Sequence, residues 1–458
     1  MRRSENGTVA FFGSFNSTNF GNECTLKAVI FHFRKTYPGT KFICITDGHK
    51  SAARSEDIEA VPVSPELLEA WKARTPLGRL VRRAVIGLPA EIYRFISGIM
   101  ALRRARMLIV PGTGLLTDAF GLTGCGPYAL FRWAIIARLC GCKLVFLSVG
   151  AGPLYSRLGR FFVKSALSLA AFRSYRDISS RQYLTSIGFE AERDPIYPDL
   201  AFSLPAPASP PADDRPSEVG LGVMAYLGNY SAAHPIASTD RDYWDNLARF
   251  SKWLIAEGYN VRPFIGDMVD APARERFIRS LHEDVQPHRD GAIIDEPVTS
   301  FESLMPAIAA TDVVVATRFH NILLSILSGK PVIAISFHHK CASLMASVGL
   351  SAYCLDTHGL DADALIRTFQ LLIVNSKEVK AQIAQKVLEF RRELDDQYEK
   401  AFGTPADAPL KPKDIEPLVT AVGRPRPRAA GTPRSQVADH RSGAGTASDD
   451  TATALPRS

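Results

Sequence analysis

Residues 312–320, DVVVATRFH, constrain this chain more than any other stretch. A short apolar run rich in β-branched residues is the signature of a strand buried on both faces, the strand type of a parallel sheet. It ends in Arg318 and His320, where an apolar helix is predicted over residues 321–328. Gly329 then leads to a second apolar run at 331–335 and to Lys340. In an open α/β sheet, ligands sit outside the carboxyl ends of the strands, beside helix N-termini that favour anions. The sequence thus sets a permanent cation and a near-neutral proton carrier at an anion-receptive edge. That pairing suits an acidic substrate needing both anchoring and proton transfer.

The same alternation runs through the chain. In the first half, strands are predicted at 9–12, 42–45, 107–110, 144–149, 172–175 and 196–197, with helices at 22–34, 128–139, 158–171 and 179–187. The helix at 22–34 carries Leu26, Val29, Ile30 and Phe33 at helical spacing. Residues 203–217, SLPAPASPPADDRPS, have no periodicity and read as a linker. A second series follows: strands at 220–226, 260–264, 292–294, 313–316 and 331–335, and helices at 243–257, 271–282 and 301–309. Residues 365–402 are strongly helical and long enough to pack back across both halves. Repeated β-α-β units imply parallel sheets. The expected fold class is therefore α/β, with two doubly wound Rossmann-like domains in a GT-B-like arrangement and a disordered C-terminal tail. The expected divisions are an N-terminal domain at 1–203, a linker at 204–218, a C-terminal domain at 219–360, a helical segment at 361–422 and the tail at 423–458.

Length supports two cores, since 458 residues exceed one ordinary domain. The net charge of +7 is mild and partly local. From Gly423 onward six arginines face three aspartates, leaving +3 in the tail and +4 on the rest. This is not the concentrated field of a nucleic-acid binder, so nucleic acid is not an expected partner. Seven cysteines without paired spacing read as free thiols of a reducing compartment. No apolar stretch reads as a signal peptide or a membrane span; residues 129–150 are interrupted by Arg132, Arg138 and Lys143. A cytoplasmic location follows as an expectation. Residues 79–106 are basic and amphipathic, which fits either a surface helix or contact with an anionic membrane. The pair His338 and His339 has no carboxylate or thiol at ligand spacing, so no metal is expected.

Four further constellations sit at strand ends. Gly13, Asn16, Asn19, Gly21, Asn22 and Glu23 follow the first strand; Gly and Asn tolerate a tight strand-to-helix loop, and Asn19 or Asn22 equally caps the helix. The loop lacks the G-x-G-x-x-G dinucleotide pattern. Gly112, Gly114 and Asp118 form the second group, where two glycines permit close backbone approach and Asp118 can accept from a hydroxyl or orient a neighbour. Gly150, Gly152 and Pro153 repeat the device. Arg176 and Asp177, then Pro198 and Asp199, complete the set; a capping aspartate beside a surface arginine is the plain alternative. A lone histidine at a helix start is more often structural than catalytic. His320, however, recurs at one edge with Arg318 and Lys340.

In order and spacing these motifs resemble the polysaccharide pyruvyl transferase family, over about residues 8–355. The matching positions are Asn19 to Glu23, Gly112 to Asp118, Gly150 to Pro153, Arg176 with Asp177, Pro198 with Asp199, Arg318 with His320, and Lys340. Thr113 stands where the family has the middle of three glycines, Phe319 where leucine is usual and Asn22 where aspartate is common. The resemblance implies a GT-B-like fold and transfer of pyruvate from phosphoenolpyruvate to two hydroxyls of a sugar, as a cyclic ketal on a cell-surface or exopolysaccharide precursor. It implies donor binding by Arg176, Arg318, Lys340, Gly150 and Gly152, with His320 as general acid. Asn16, Asn19, Glu23, Gly112, Gly114 and Asp118 would serve the acceptor or its loops. Phosphoenolpyruvate is then a substrate and no cofactor is expected. The partner is a saccharide acceptor, for which a lipid carrier and peripheral contact with the inner membrane surface are natural. Two alternatives stay open: a GT-B glycosyltransferase using a nucleotide sugar, and a non-catalytic sugar-binding protein of the same fold.

Overall fold

The computed structural model describes residues 7–15, 19–47, 58–64, 86–112, 114–119, 121–207, 217–225, 236–285 and 291–403. Asn16, Thr113, most of the expected linker and the expected tail at 423–458 lie outside the described residues.

The first half builds a six-stranded parallel sheet from β1 (Thr8–Phe12), β2 (Phe42–Thr46), β3 (Ile58–Pro62), β4 (Ala105–Pro111), β5 (Lys143–Val149) and β6 (Phe172–Tyr175). Its order is β3-β2-β1-β4-β5-β6, with Phe11 paired to Cys44 on one side and Ile109 on the other. The order reverses at β1, so the crevice of this doubly wound sheet lies between the loops after β1 and β4. The second half builds a five-stranded parallel sheet from β7 (Glu218–Val223), β8 (Asn260–Ile265), β9 (Val313–Ala316), β10 (Val332–Ser336) and β11 (Cys354–Asp356), in the order β11-β10-β9-β7-β8. Here the order reverses between β7 and β9, immediately before Thr317 and Arg318. Both sheets therefore aim their switch points at motifs singled out by sequence.

Among the described residues the helices are α1 (Phe20–Thr36), α2 (Leu88–Leu102), α3 (Pro127–Leu139), α4 (Arg157–Ser168), α5 (Ile178–Ser186), α6 (Ile236–Ala256), α7 (Ala271–Val285), α8 (Phe301–Ala310), α9 (Phe319–Leu327), α10 (His339–Ser347), α11 (Ala362–Val374) and α12 (Ser376–Phe402). In α9, Ile322, Leu323, Leu324, Ile326 and Leu327 are all buried, the pattern of a helix enclosed on every side. That enclosure fixes the helix start bearing His320. One apolar core, including Phe33 of α1, Leu221 of β7, Ile322 of α9 and Leu394 of α12, runs through both halves. A second core fills the other face of the first sheet around Trp133 and Phe146.

Several elements differ from expectation. The helix expected over 365–402 is two, broken at Asn375, whose amide nitrogen donates to the Tyr353 hydroxyl at 3.1 Å. The second of these, α12, does reach back: the buried Gln397 amide donates to Ser148 and Ser174 at 2.9 and 2.7 Å, while Gln382 donates to the Val348 carbonyl. The strand expected at 292–294 shrinks to one bridge between Ile293 and Val261, and that at 196–197 to a bridge between Ile196 and Tyr175. The edge strands β3 and β11 and the helix α10 carried too short or too polar a pattern to be read. Among the described residues no helix is long and apolar enough to cross a membrane.

Candidate functional site

The start of α1 joins the two halves. Asn19 accepts from the backbone N–H groups of Gly21 and Asn22 at 3.0 and 3.4 Å, so the capping reading of this residue is the observed one. Its own amide donates to Asp267 at 3.0 Å, and the Phe20 N–H donates to the Gly266 carbonyl at 3.1 Å. One cap thereby ties the loop after β1 to the loop after β8. Glu23, one turn on, pairs with Lys27 at 3.2 Å; Lys27 also meets Glu302 of α8. Burial raises the Glu23 pKa, and Lys27 opposes that rise.

His320 occupies the second position of α9, across from this cap. Its ring lies directly over Gly21: a Cβ placed on Gly21 would stand 1.9 Å from Nδ1. Only a glycine leaves room there. Nε2 is buried with no hydrogen-bond partner among the described residues and lies 3.9 Å from Asp199. Burial pushes the imidazole pKa down to about 4. Asp199 opposes that push, and Arg176, Lys340 and Arg318 reinforce it. At neutral pH the free site therefore holds an uncharged imidazole. Its ordinary value, near 6.5, does not describe the buried ring.

Arg176 comes from the end of β6. It donates to Asp199 at 3.0 Å, and its guanidinium stacks on the Phe319 ring at 4.7 Å. The Phe319 ring in turn meets His320 edge-on, with centroids 5.1 Å apart. The residue that departs from the usual leucine thus packs between the two groups at the centre of the site. Gly150 and Gly114 approach on the same side, since a Cβ on Gly150 would lie 3.1 Å from the Arg176 guanidinium and 3.7 Å from the Gly114 Cα. Asp199 is almost fully buried and also caps the short helical turn Leu200–Ser203.

Arg318 is differently placed. It forms a two-pronged pair with the fully buried Asp270, at 2.8 and 2.7 Å, and Asp270 also accepts from the Ala225 N–H at 2.8 Å. Lys340 lies in the first turn of α10, capped by His338, whose Nδ1 accepts from the Lys340 N–H. Its ammonium has no ion-pair partner among the described residues, and burial together with Arg176 lowers its pKa to about 8, with Asp177 opposing. Three cations thus converge on one imidazole from two sheets.

Other predicted residues serve the frame. Asp118 accepts from the N–H groups of Tyr155 and Ser156 and from the Ser156 hydroxyl, at 2.7–2.8 Å, so it organises the loop before α4. Those bonds outweigh burial and hold its carboxyl below the usual range. Asp177 caps α5 through the Ser180 N–H. Gly112 packs against Leu200 and Thr25, and Gly152, at φ +89°, against Tyr183. Sequence reasoning gave no role to Asp199, Asp270, Phe319 or Gly21. Asp199 was visible within the Pro-Asp pair, whereas Asp270 ends the short helical turn Met268–Asp270, which carries no motif.

This cluster of arginines, lysine and histidine at facing switch points is matched by descent. The sequence model of the polysaccharide pyruvyl transferase family covers residues 19–339. The chain belongs to the polysaccharide pyruvyl transferase family. It is accordingly a transferase, and the family places it in polysaccharide modification. No curated protein matches it in sequence. The structure of Anabaena Alr3699/HepE in complex with UDP superposes with a TM-score of 0.51 at 14% identity, covering 86% of this chain and 100% of that one. A UDP-N-acetylglucosamine 2-epimerase gives a TM-score of 0.52 at 10% identity over 90% of this chain and 99% of its own. The Neisseria meningitidis UDP-GlcNAc 2-epimerase bound to UDP-GlcNAc gives 0.50, also at 10% identity, over 85% of this chain and 99% of that chain. These likenesses establish the GT-B-like fold of this pyruvyl transferase family member.

Proposed function

We propose that this family member transfers pyruvate from phosphoenolpyruvate to two hydroxyls of a saccharide, forming a cyclic ketal on a cell-surface or exopolysaccharide precursor. The observation that carries the reading is the buried His320 imidazole beside Asp199 and the Phe319 ring on which Arg176 stacks, with Lys340 offering an ammonium without an ion pair among the described residues. Phosphoenolpyruvate brings a carboxylate and a phosphate, which suit planar guanidinium groups and a partly desolvated ammonium. Those negative charges offset the cations that depress His320 and raise its pKa. Burial remains the larger cause of the depression, so donor binding shifts the imidazole toward its charged form by the part that the cations contribute.

The protonated imidazole delivers that proton to the methylene carbon of the enol, which becomes the ketal methyl. The carbon bearing the phosphate turns electrophilic and is attacked by one sugar hydroxyl. Loss of phosphate, stabilised by the same cations, opens the carbon to the second hydroxyl. One hydroxyl proton replaces the proton spent, and the other leaves with phosphate. Asp199, 3.9 Å from Nε2, favours the charged imidazole throughout. A lipid carrier for the saccharide, and with it peripheral contact with the inner membrane surface, fits this acceptor chemistry.

The test is incubation with phosphoenolpyruvate and candidate lipid-linked saccharides, reading phosphate release and a ketal in the product. Binding of a UDP- or GDP-sugar without any affinity for phosphoenolpyruvate would instead favour nucleotide-sugar glycosyl transfer on the same fold.

A further inference from the structure

Among the described residues, the helices over one face of the first sheet leave a broad apolar surface uncovered. α2, α3 and α4 lie side by side. Gly98 of α2 approaches Ile136 and Trp133 of α3, and the Phe131 ring of α3 meets Phe161 and Phe162 of α4 at 6.0 and 5.4 Å. Their inner sides supply the core around Trp133. Outward, Ile92, Ile96, Met100, Leu139, Leu158 and Phe161 are each between 52% and 67% exposed. A groove of about 570 Å³ between α3 and α4 is lined by Phe131, Ile135, Phe161 and Lys164. Apolar surface this extensive is an interaction site or a liability.

Charge decides between occupants. Over residues 88–104, 127–139 and 157–168 there are eight arginines and lysines, of which Arg132 is buried, against one acidic residue, Glu91. Glu91 is already held by Arg94 and Arg132 at 3.0 and 3.1 Å and by the Tyr128 hydroxyl. A second copy of this chain docked face to face would set cation against cation. A negatively charged bilayer offers what the face lacks, an apolar interior under an anionic surface.

We propose that the face formed by α2, α3 and α4 docks the enzyme on the surface of an anionic lipid bilayer. Ile96 and Phe161 enter the headgroup boundary, and Arg103, Arg138 and Arg157 lie over the lipid charges. The proposal deepens the reading of a membrane-borne acceptor and is independent of which donor is used. The start of α4 lies beside the donor site. Its cap Ser156 and the 71% exposed Tyr155 are held by Asp118, beside the glycine loop that leads to Arg176. Docking through α4 therefore sets the rim of the donor site beside the lipid surface.

The test is co-sedimentation of the full chain with phosphatidylcholine vesicles made with or without phosphatidylglycerol. Binding is expected only to the anionic vesicles, and it should weaken as salt rises. Arg138→Ala and Arg157→Ala should each weaken it about fivefold. Ile96→Asp should weaken it about tenfold or more, with circular dichroism unchanged because the side chain is exposed. Absence of binding to anionic vesicles, binding that ignores these substitutions, or a dimer that Ile96→Asp dissolves would each overturn the proposal. Phosphoenolpyruvate affinity, measured separately by calorimetry, reports on the donor reading and should be the same in all three variants.

Discussion

Replacing Gly21 with alanine should disable turnover while leaving donor binding largely intact. Within a helix the change is intrinsically favourable by about 1 kcal/mol. Here the added Cβ meets the His320 ring at 1.9 Å from Nδ1, 2.3 Å from Cε1 and 2.4 Å from Cγ. Ordinary contact begins near 3.4 Å, so the ring must retreat by well over 1 Å. Asp199 and the Phe319 ring stand around the imidazole, and the backbone that carries it opens an enclosed helix. Overpacking of this kind costs about 1–3 kcal/mol, leaving a net destabilisation of roughly 0–2 kcal/mol. A catalytic group misplaced by about 1 Å costs roughly 100-fold in rate. The three nearest atoms to the added Cβ all belong to His320, so phosphoenolpyruvate affinity should change less than about threefold. Steady-state kinetics and calorimetry on Gly21→Ala read both quantities. Turnover within a few-fold of wild type would show that the placement of His320 over Gly21 is irrelevant to the chemistry.

Three other expectations separate the cations and the proton. Arg318→Ala should lower stability by about 3–5 kcal/mol, because the fully buried Asp270 loses its partner; a denaturation midpoint that barely moves would exclude that role. Lys340→Ala removes an ammonium without an ion pair among the described residues, so it should weaken phosphoenolpyruvate about tenfold or more at unchanged melting temperature, and equal affinity would place Lys340 outside the donor site. Between about pH 4 and the ordinary value of 6.5, the free protein holds His320 neutral and the donor complex should hold it charged. Calorimetry in buffers of different ionisation enthalpy should therefore detect proton uptake on donor binding that is absent from His320→Gln. Turnover should fall as pH rises through the pKa of the complex, since the charged imidazole is the active form; equal proton uptake by both proteins would contradict the coupling.

The fold was legible because its signal is local. Short β-branched runs alternating with helical periodicity reported the central strands of both sheets, where burial on two faces leaves no polar alternation to confuse the reading. Edge elements such as β3, with Glu59 exposed, and the three residues of β11 carried too little pattern. The site was legible only by type. Arg176, Arg318, His320 and Lys340 stood out as charged groups at strand ends, and the structure brings them together. Their partners did not stand out. Asp270 reaches Arg318 across 48 residues, and Gly21 reaches His320 across the two halves; neither spacing leaves a trace in sequence. The downward shift of the imidazole was not readable for the same reason, since burial and the neighbouring cations are properties of the assembled cleft. Asp118 and Asp177 show the opposite case: strand-end carboxylates that hold loops and helix starts together.

The central claim is that His320 delivers a proton to the enol carbon of phosphoenolpyruvate during ketal formation. The direct measurement is the reaction run in deuterium oxide with an acceptor that supports turnover, followed by mass spectrometry of the ketal methyl group. The account predicts one solvent-derived deuterium in that methyl, and a drop of about 10²–10⁴ in its rate of formation in His320→Gln. Phosphate released without a ketal, a ketal free of deuterium, or a His320→Gln protein that works at the wild-type rate would contradict it.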